Sequence, residues 1–253
     1  DAGGSVTFTD GSTATGDLLI AADGSQAAVR PYVLGYNPER RYAGYVNWNG
    51  LVKIDEEMAP AHQWTTFVGE GKRVSLMPVS GGRFYFFMDG PRPLGLAEDR
   101  TTLRADLTGY FRGWAPPVQK LIAALDPDTT NRIEIHDIEP FDSLVRGHVA
   151  LLGDAAHSTT PDIGQGGCAA LEDAVVLGDC LRENHNITLA LRQYEALRCD
   201  RVRDLVLKAR KRCDVTHGKD MALTRAWYQE LREETGERII NGLCDTIQGG
   251  PLG

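Results

Sequence analysis

Leu151-Leu152-Gly153-Asp154-Ala155-Ala156-His157, then Thr160-Pro161-Asp162-Ile163-Gly164-Gln165-Gly166-Gly167, then Leu171-Glu172-Asp173-Ala174 is the stretch on which the reading of the fold turns. A short apolar run, Val149 to Leu152, predicts a buried strand, and residues 168 to 181 predict a helix. Between them lie an acid at the strand's C-terminal end and a loop rich in glycine. That order suits a dinucleotide. The acid can accept hydrogen bonds from sugar hydroxyls, and glycines without side chains let a flat ring or a phosphate approach the backbone. The helix N-terminus adds unpaired N–H groups and a partial positive charge.

Upstream, Val6 to Thr9, the turn Asp10-Gly11-Ser12 and the run Leu18 to Ala22 predict a hairpin leading into a buried strand that ends at Asp23-Gly24. Taken alone, Asp23-Gly24 is a common turn dipeptide. From Tyr42 to Met88 the chain is rich in Tyr, Trp, Val, Thr and Phe, with turn signals at Gly69-Glu70-Gly71 and Pro78 to Gly82, which predicts an antiparallel sheet. Leu103 to Leu125 has helical spacing broken by Pro116-Pro117, and Arg132 to Glu139 alternates as a strand. Downstream, 187 to 212 predicts a long helix with Leu191, Tyr194, Val202, Leu205 and Ala209 near one face, and helical sequence continues to about Ile247. The fold class expected is α/β: a partial Rossmann-like dinucleotide-binding domain, a mixed β-sheet substrate domain and C-terminal helices. The expected boundaries are 1–33 and 141–182 for the first, 34–140 for the second and 183–253 for the helices.

The 253 residues carry a formal net charge of −8, which argues against a nucleic-acid surface, since phosphate binding needs clustered Lys and Arg. Lys208 to Arg212 reads as a solvated helix face. No apolar stretch approaches the roughly 18 residues of a membrane span, and the first residues are not a signal peptide, so a cytoplasmic protein is expected. Five cysteines without CxxC pairs indicate neither a disulfide framework nor a zinc site. No metal constellation stands out, and the Gly-x-Ser-x-Gly elbow of a hydrolase is absent.

In the β-rich region, side-chain parity assigns faces. Arg73, Ser75 and Met77 point one way, and so do Arg83, Tyr85 and Phe87. If Pro78 to Gly82 closes a hairpin pairing Met77 with Arg83, Arg73 lies diagonal to Tyr85 within roughly 7 to 8 Å. With Asn47, they could read a flat, polar, anionic heterocycle. The alternative is that Arg73 and Arg83 are surface charges and Tyr85 a core aromatic. His157 beside Asp154 suggests acid–base chemistry, with a structural role as the alternative.

The Gly153 to His157 and Pro161 to Gly167 motifs resemble the third fingerprint of the class A (aromatic-ring hydroxylase) flavoprotein monooxygenases. That resemblance implies that Asp154 binds the ribityl chain of FAD, that Pro161 belongs to the same loop, and that Gly164, Gln165, Gly166, Gly167 and Cys168 present backbone amides to the flavin. Asp17 to Arg30 resembles the family's second fingerprint and implies that Asp23 and Gly24 touch FAD, although Ala27 stands where the family usually has Ser, so that a cap or a polar contact is lost. Tyr194-Glu195-Ala196-Leu197-Arg198-Cys199-Asp200-Arg201 resembles the family's Y-E-x-x-R-x-x-R helix, read as structural through ion pairs. Arg40 to Gly50 and Gly69 to Pro78 are similar to the bacterial urate-hydroxylating members. There, Asn47, Arg73 and Tyr85 match substrate-contacting positions, with Arg73 and Tyr85 serving the reaction. The resemblance implies FAD, NADH and dioxygen acting on urate to give 5-hydroxyisourate. A phenolic carboxylate is the other substrate open to Arg73, and a non-catalytic binding module is the other class of function. The family's GxGxxG motif occurs nowhere in the sequence and is expected upstream of Asp1.

Overall fold

Residues 4–250 are described by a computed structural model. In chain order the elements are β1 (Gly4–Thr7), β2 (Thr13–Gly16), β3 (Leu19–Ala21), α1 (Arg30–Leu34), β4 (Arg40–Lys53), β5 (Thr65–Gly69), β6 (Lys72–Val79), β7 (Arg83–Pro91), α2 (Leu103–Tyr110) and α3 (Pro116–Ala124). They continue with β8 (Asn131–Ile138), β9 (Val145–Arg146), β10 (Val149–Leu151), α4 (Asp154–His157), a 3-10 turn at Pro161–Ile163, α5 (Gly166–Glu183), α6 (Ile187–Thr216), α7 (Met221–Glu233) and α8 (Glu237–Gln248). The α/β class expected from sequence is the one observed.

The chain forms two compact units. One comprises the residues up to Arg41, 136–212, and those from Glu234 on; the other comprises Tyr42–Ile135 and Cys213–Glu233. The C-terminal helices therefore do not make a block of their own from 183 to 253. The division falls within α6, after Arg212, because the last turn of that helix packs with sheet residues: Cys213 clusters with Tyr45 and Ile135, and His217 stacks on Tyr45 with ring centroids 3.7 Å apart.

In the first unit β3 and β10 pair in parallel, Leu19 opposite Val149 and Ala21 opposite Leu151, with β9 antiparallel on the far side of β10. Parallel pairing puts the C-terminal ends of β3 and β10 at one edge, so the loops that follow, at Asp23-Gly24 and Gly153-Asp154, emerge together. β10 is buried, as expected. β3 is not: Ile20 is 47 % exposed, since β3 is the edge of a three-stranded sheet among the described residues. The buried faces of α5 and α6 complete this core through Val176, Leu177, Leu191 and Tyr194.

In the second unit five strands lie in the order β5-β6-β7-β4-β8. One face, Val46, Trp48, Val52, Val74, Leu76, Phe84, Phe86 and Met88, is packed against α2 and α3. The prolines open α3 rather than break it, because a first-turn proline has no N–H to leave unpaired. Gly90 in β7 has no room for a methyl group: a Cβ there would lie 2.7 Å from Tyr110 Cε1. Gly90→Ala is expected to destabilise this unit by about 1–3 kcal/mol, read as a lower urea midpoint at unchanged slope.

Candidate flavin and substrate sites

The loop after β10 is built around one buried carboxylate. Gly153 turns the chain with φ +62°, and a Cβ there would crowd Ala170 at 3.2 Å. Its N–H donates to Asp173 Oδ2 at 2.9 Å, and His157 Nε2 meets the same oxygen at 2.6 Å. Arg198 Nε donates to Asp173 Oδ1 at 2.7 Å, and its Nη1 reaches Glu172 Oε2 at 2.8 Å. Asp173 and Arg198 are wholly buried. Burial alone would raise the Asp173 pKa, but the His157 bond and charge, the Gly153 N–H and the Arg198 charge outweigh it and leave it below its ordinary value. His157 is thus turned onto Asp173 as part of the scaffold. The structural reading of the long helix holds residue by residue: Tyr194 donates to Leu151 O at 2.8 Å, Glu195 accepts from the N–H groups of Leu144 and Val145, and Arg201 pairs with Glu172 at 2.9 Å.

Arg30 joins the two loops. It is buried, and donates from Nε to Ala155 O at 2.7 Å and from Nη2 to Asp154 O at 3.0 Å, Ser25 O at 3.1 Å and Gly24 O at 3.3 Å. Asp23 acts locally, its Oδ2 accepting from the N–H of Ala28 at 2.7 Å and of Val29 at 3.4 Å. These bonds brace the turn ahead of α1, whose N-terminus has no side-chain cap, and Ala27 is simply buried. Gly24, at φ +83°, makes the turn.

What this scaffold presents outward fits a flavin nucleotide. Asp154 is exposed, and its side chain makes no hydrogen bond or ion pair to a described residue. Pro161 opens the 3-10 turn and Gly164 ends it at φ +66°, its N–H donating to Pro161 O at 3.1 Å, so Gly164 does not offer the backbone amide expected of it. Gln165 stands at the N-cap position of α5, whose first turn is Gly166, Gly167 and Cys168 with no acid to neutralise it. The first helical acceptor, Gln165 O, is taken by Ala169 N, so the N–H groups before it have no partner in their own helix. A Cβ on Gly164 or Gly167 would meet nothing, which leaves an open cradle, and the Thr160 hydroxyl is buried beside this loop without a partner.

On the sheet, the register corrects the expectation. Val79, not Met77, pairs with Arg83, because Gly81 and Gly82 adopt φ +79° and +65° and close the hairpin in three residues. Pro78 therefore stays inside β6. Arg73 lies opposite Asp89, and Tyr85 lies opposite Met77. Four residues separate their rows, about 13 Å along the strand rather than one diagonal step. The face opposite the core carries three rows: Arg73, Asp89 and Asn47; then Thr66, Ser75, Phe87 and Asn49; then Met77, Tyr85 and Leu51. Phe87 lies between the outer two, 5.1 Å from the Arg73 guanidinium and 6.2 Å from the Tyr85 ring.

Sequence reading missed Asp89. Its carboxylate, fully buried, takes Arg73 Nε at 2.8 Å and Nη2 at 2.6 Å on Oδ2, and Asn47 Nδ2 at 2.6 Å on Oδ1. Asn49 Nδ2 donates in turn to Asn47 Oδ1 at 2.6 Å. The signal was an acid in the apolar run Arg83 to Pro91, at the same parity as Tyr85. Arg83 sits at the exposed hairpin end, bonded to Ser80 O. Lys208 to Arg212 is not merely solvated, since Arg210 pairs with Asp137 and Glu139. No helix among the described residues is long and apolar enough to cross a membrane, and no group of His, Cys, Asp or Glu among them could hold a metal ion.

The FAD binding domain family matches residues 5–209, and the chain belongs to that family. It is 84% identical to the FAD-dependent urate hydroxylase of Klebsiella oxytoca over 98% of its own length and 65% of that protein's. It is 54% identical to the urate hydroxylase of Mycolicibacterium vanbaalenii over 97% of its length and 62% of the relative's. The crystal structure of Klebsiella pneumoniae HpxO complexed with FAD and uric acid superposes with a TM-score of 0.98 at 80% identity, covering 100% of this chain and 65% of that one. The chain thus spans about two-thirds of the length of these relatives.

Asp173→Ala is expected to cost about 3–5 kcal/mol in urea unfolding, since it strands a buried guanidinium. The lowered pKa of Asp173 fixes the sign of the acid response. Its contribution is complete above the unfolded value near 3.8 and is lost as pH falls through the lower folded value, so the variant's deficit should shrink in acid.

Proposed function

We propose that this chain is the flavin- and substrate-binding part of an FAD-dependent urate hydroxylase, a flavoprotein monooxygenase that uses NADH and dioxygen to convert urate to 5-hydroxyisourate. The observation that carries the reading is the Asn47–Asp89–Arg73 row with Phe87 and Tyr85 on the same sheet face, in a chain 80% identical to a protein crystallised with FAD and uric acid.

Asp154 would hold hydroxyls of the ribityl chain, and the N–H groups of Gln165, Gly166, Gly167 and Cys168 would face the flavin ring where charge gathers on reduction, while Gly164, whose own N–H donates to Pro161 O, makes the turn that exposes them. When bound, FAD supplies the redox chemistry, accepting a hydride from NADH and activating dioxygen. The protein's own contribution is position and charge. In this reading urate lies across Phe87, with Arg73 and Asn47 at one end and Tyr85 at the other. Arg73 stabilises negative charge on the heterocycle, keeping it electron-rich for oxygen transfer, and Asn47 fixes the ring's orientation. Burial, and after it the Asp89 charge, raises the Tyr85 pKa, so Tyr85 stays a neutral O–H donor throughout neutral pH.

The test uses the complete protein containing this sequence, purified with its flavin, following NADH oxidation with and without urate. Urate-stimulated NADH consumption with formation of 5-hydroxyisourate is expected. Arg73→Ala should lower kcat/KM about a hundredfold, the scale of losing a charge-stabilising donor, and Tyr85→Phe about tenfold, the scale of one hydrogen bond. Bound flavin without any urate response would overturn the substrate, and absence of flavin would overturn the enzyme.

A further inference from the structure

We infer that Asp89 is a specificity-determining positioning residue: by closing one edge of the Arg73 fork and fixing the Asn47 amide, it makes this wall accept a planar hydrogen-bonding heterocycle and reject an aromatic carboxylate. The inference rests on the function proposed above and narrows its substrate class.

A half-buried arginine on a sheet face is ordinarily an excellent receptor for a carboxylate, which it grips with two parallel N–H bonds. Here Nε and Nη2 both close onto Asp89 Oδ2, at 2.8 and 2.6 Å, so that edge already holds a carboxylate supplied by the protein. Asp89 is 0% exposed and Arg73 is only 15% exposed, so the pair is shielded from bulk water and is not a loose surface contact. An incoming carboxylate would have to compete with Asp89 for the fork and bear its like charge at close range. A ring whose charge is spread over several N–H and C=O groups meets a lower penalty, because it can use single hydrogen bonds.

Asp89 also sets what the neighbouring amides offer. A carboxylate only accepts hydrogen bonds, so the group facing Oδ1 at 2.6 Å must be the Asn47 NH2 and not its oxygen. That choice turns Asn47 Oδ1 toward Asn49, which donates to it at 2.6 Å, and Asn49 Oδ1 in turn accepts from Asn131 at 3.3 Å. One buried charge thereby orients three amides in series. A receptor with a fixed donor and acceptor order reads a heterocycle's edge, whereas freely flipping amides would not.

The experiment uses the flavin-loaded full-length enzyme and measures binding by perturbation of the flavin absorbance, with urate and with salicylate as the carboxylate probe, for wild type and Asp89→Asn. Wild type should bind urate and bind salicylate at least a hundredfold more weakly. Asp89→Asn should lose about tenfold or more in urate affinity while gaining about tenfold for salicylate. Opposite movement of the two ligands is a readout that a merely structural role would not give. Both affinities weakening together, or both unchanged, overturns the inference. If Asp89→Asn fails to retain flavin, salicylate competition in the wild type decides: displacement of urate at urate-like concentrations overturns it, and none supports it. A wild-type protein whose flavin spectrum ignores urate overturns the function proposed above and this inference with it, whereas the variant outcomes concern Asp89 alone.

Discussion

The buried carboxylate of Asp173 is the contact on which the flavin-facing loop depends. Gly153 must sit at positive φ to bring Asp154 outward, and a chain reversing this sharply after a buried strand leaves an N–H with no strand partner. Asp173 accepts that N–H, and with its other oxygen binds Arg198 on α6. Burying a carboxylate and a guanidinium costs several kcal/mol each before they are paired. That cost is offset because partners converge on both groups: the Gly153 N–H and the His157 ring on Asp173, and the Glu172 carboxylate and the Ala169 carbonyl accepting from the two terminal Arg198 nitrogens. Removing any one member exposes the desolvation cost of the rest, which makes the network rigid as well as stable. The same helix secures β10 through Tyr194 and the approach to β9 through Glu195. Three residues within a turn and a half of α6 therefore hold three separate segments of backbone.

The sheet of the second unit separates two jobs by parity. Even-numbered residues of β4, β6 and β7 build the apolar core and odd-numbered ones build a polar and aromatic face. Because the side-chain period is two, the hydrophobic pattern that fixes the core also fixes which residues share the other face, without fixing how far apart they stand. That distance is decided by the hairpin. Glycines at 81 and 82 allow a left-handed pair of residues, the turn closes in three residues, and every cross-strand partner on the face is set by that choice.

This is also where sequence reading stopped being sufficient. Helices α5 and α6, the buried β10 and the parity of Arg73 and Tyr85 all follow from local periodicity and punctuation, and all were legible. The register of β6 on β7 was not, because Pro78 looked like the start of a turn while the glycines after it were the true one. Asp89 escaped for a related reason: an acid at the end of an apolar strand gains meaning only once its cross-strand partners are known. The bracing role of Asp23 was hidden likewise, since its partners are the N–H groups of Ala28 and Val29 across an irregular turn. Local patterns carried the elements; pairings between distant residues needed the fold.

Asp173 and Asp89 then stand as two uses of one physical device. Each is a carboxylate with no exposure, each accepts without being able to donate, and each therefore dictates the orientation of every group around it. Around Asp173 the groups so fixed are a backbone N–H, an imidazole and a guanidinium already committed inward, and the product is a loop of fixed shape with its own polar atoms spent. Around Asp89 they are a guanidinium and a chain of amides on a sheet face, and the product is a surface of low net charge with its donors and acceptors in a set order. Charge neutralisation is needed in both places, but the consequences differ. In the loop it leaves Asp154 and the α5 N-terminus as the unspent polar groups, and on the sheet it turns a cation that would attract any carboxylate into part of a patterned hydrogen-bonding wall.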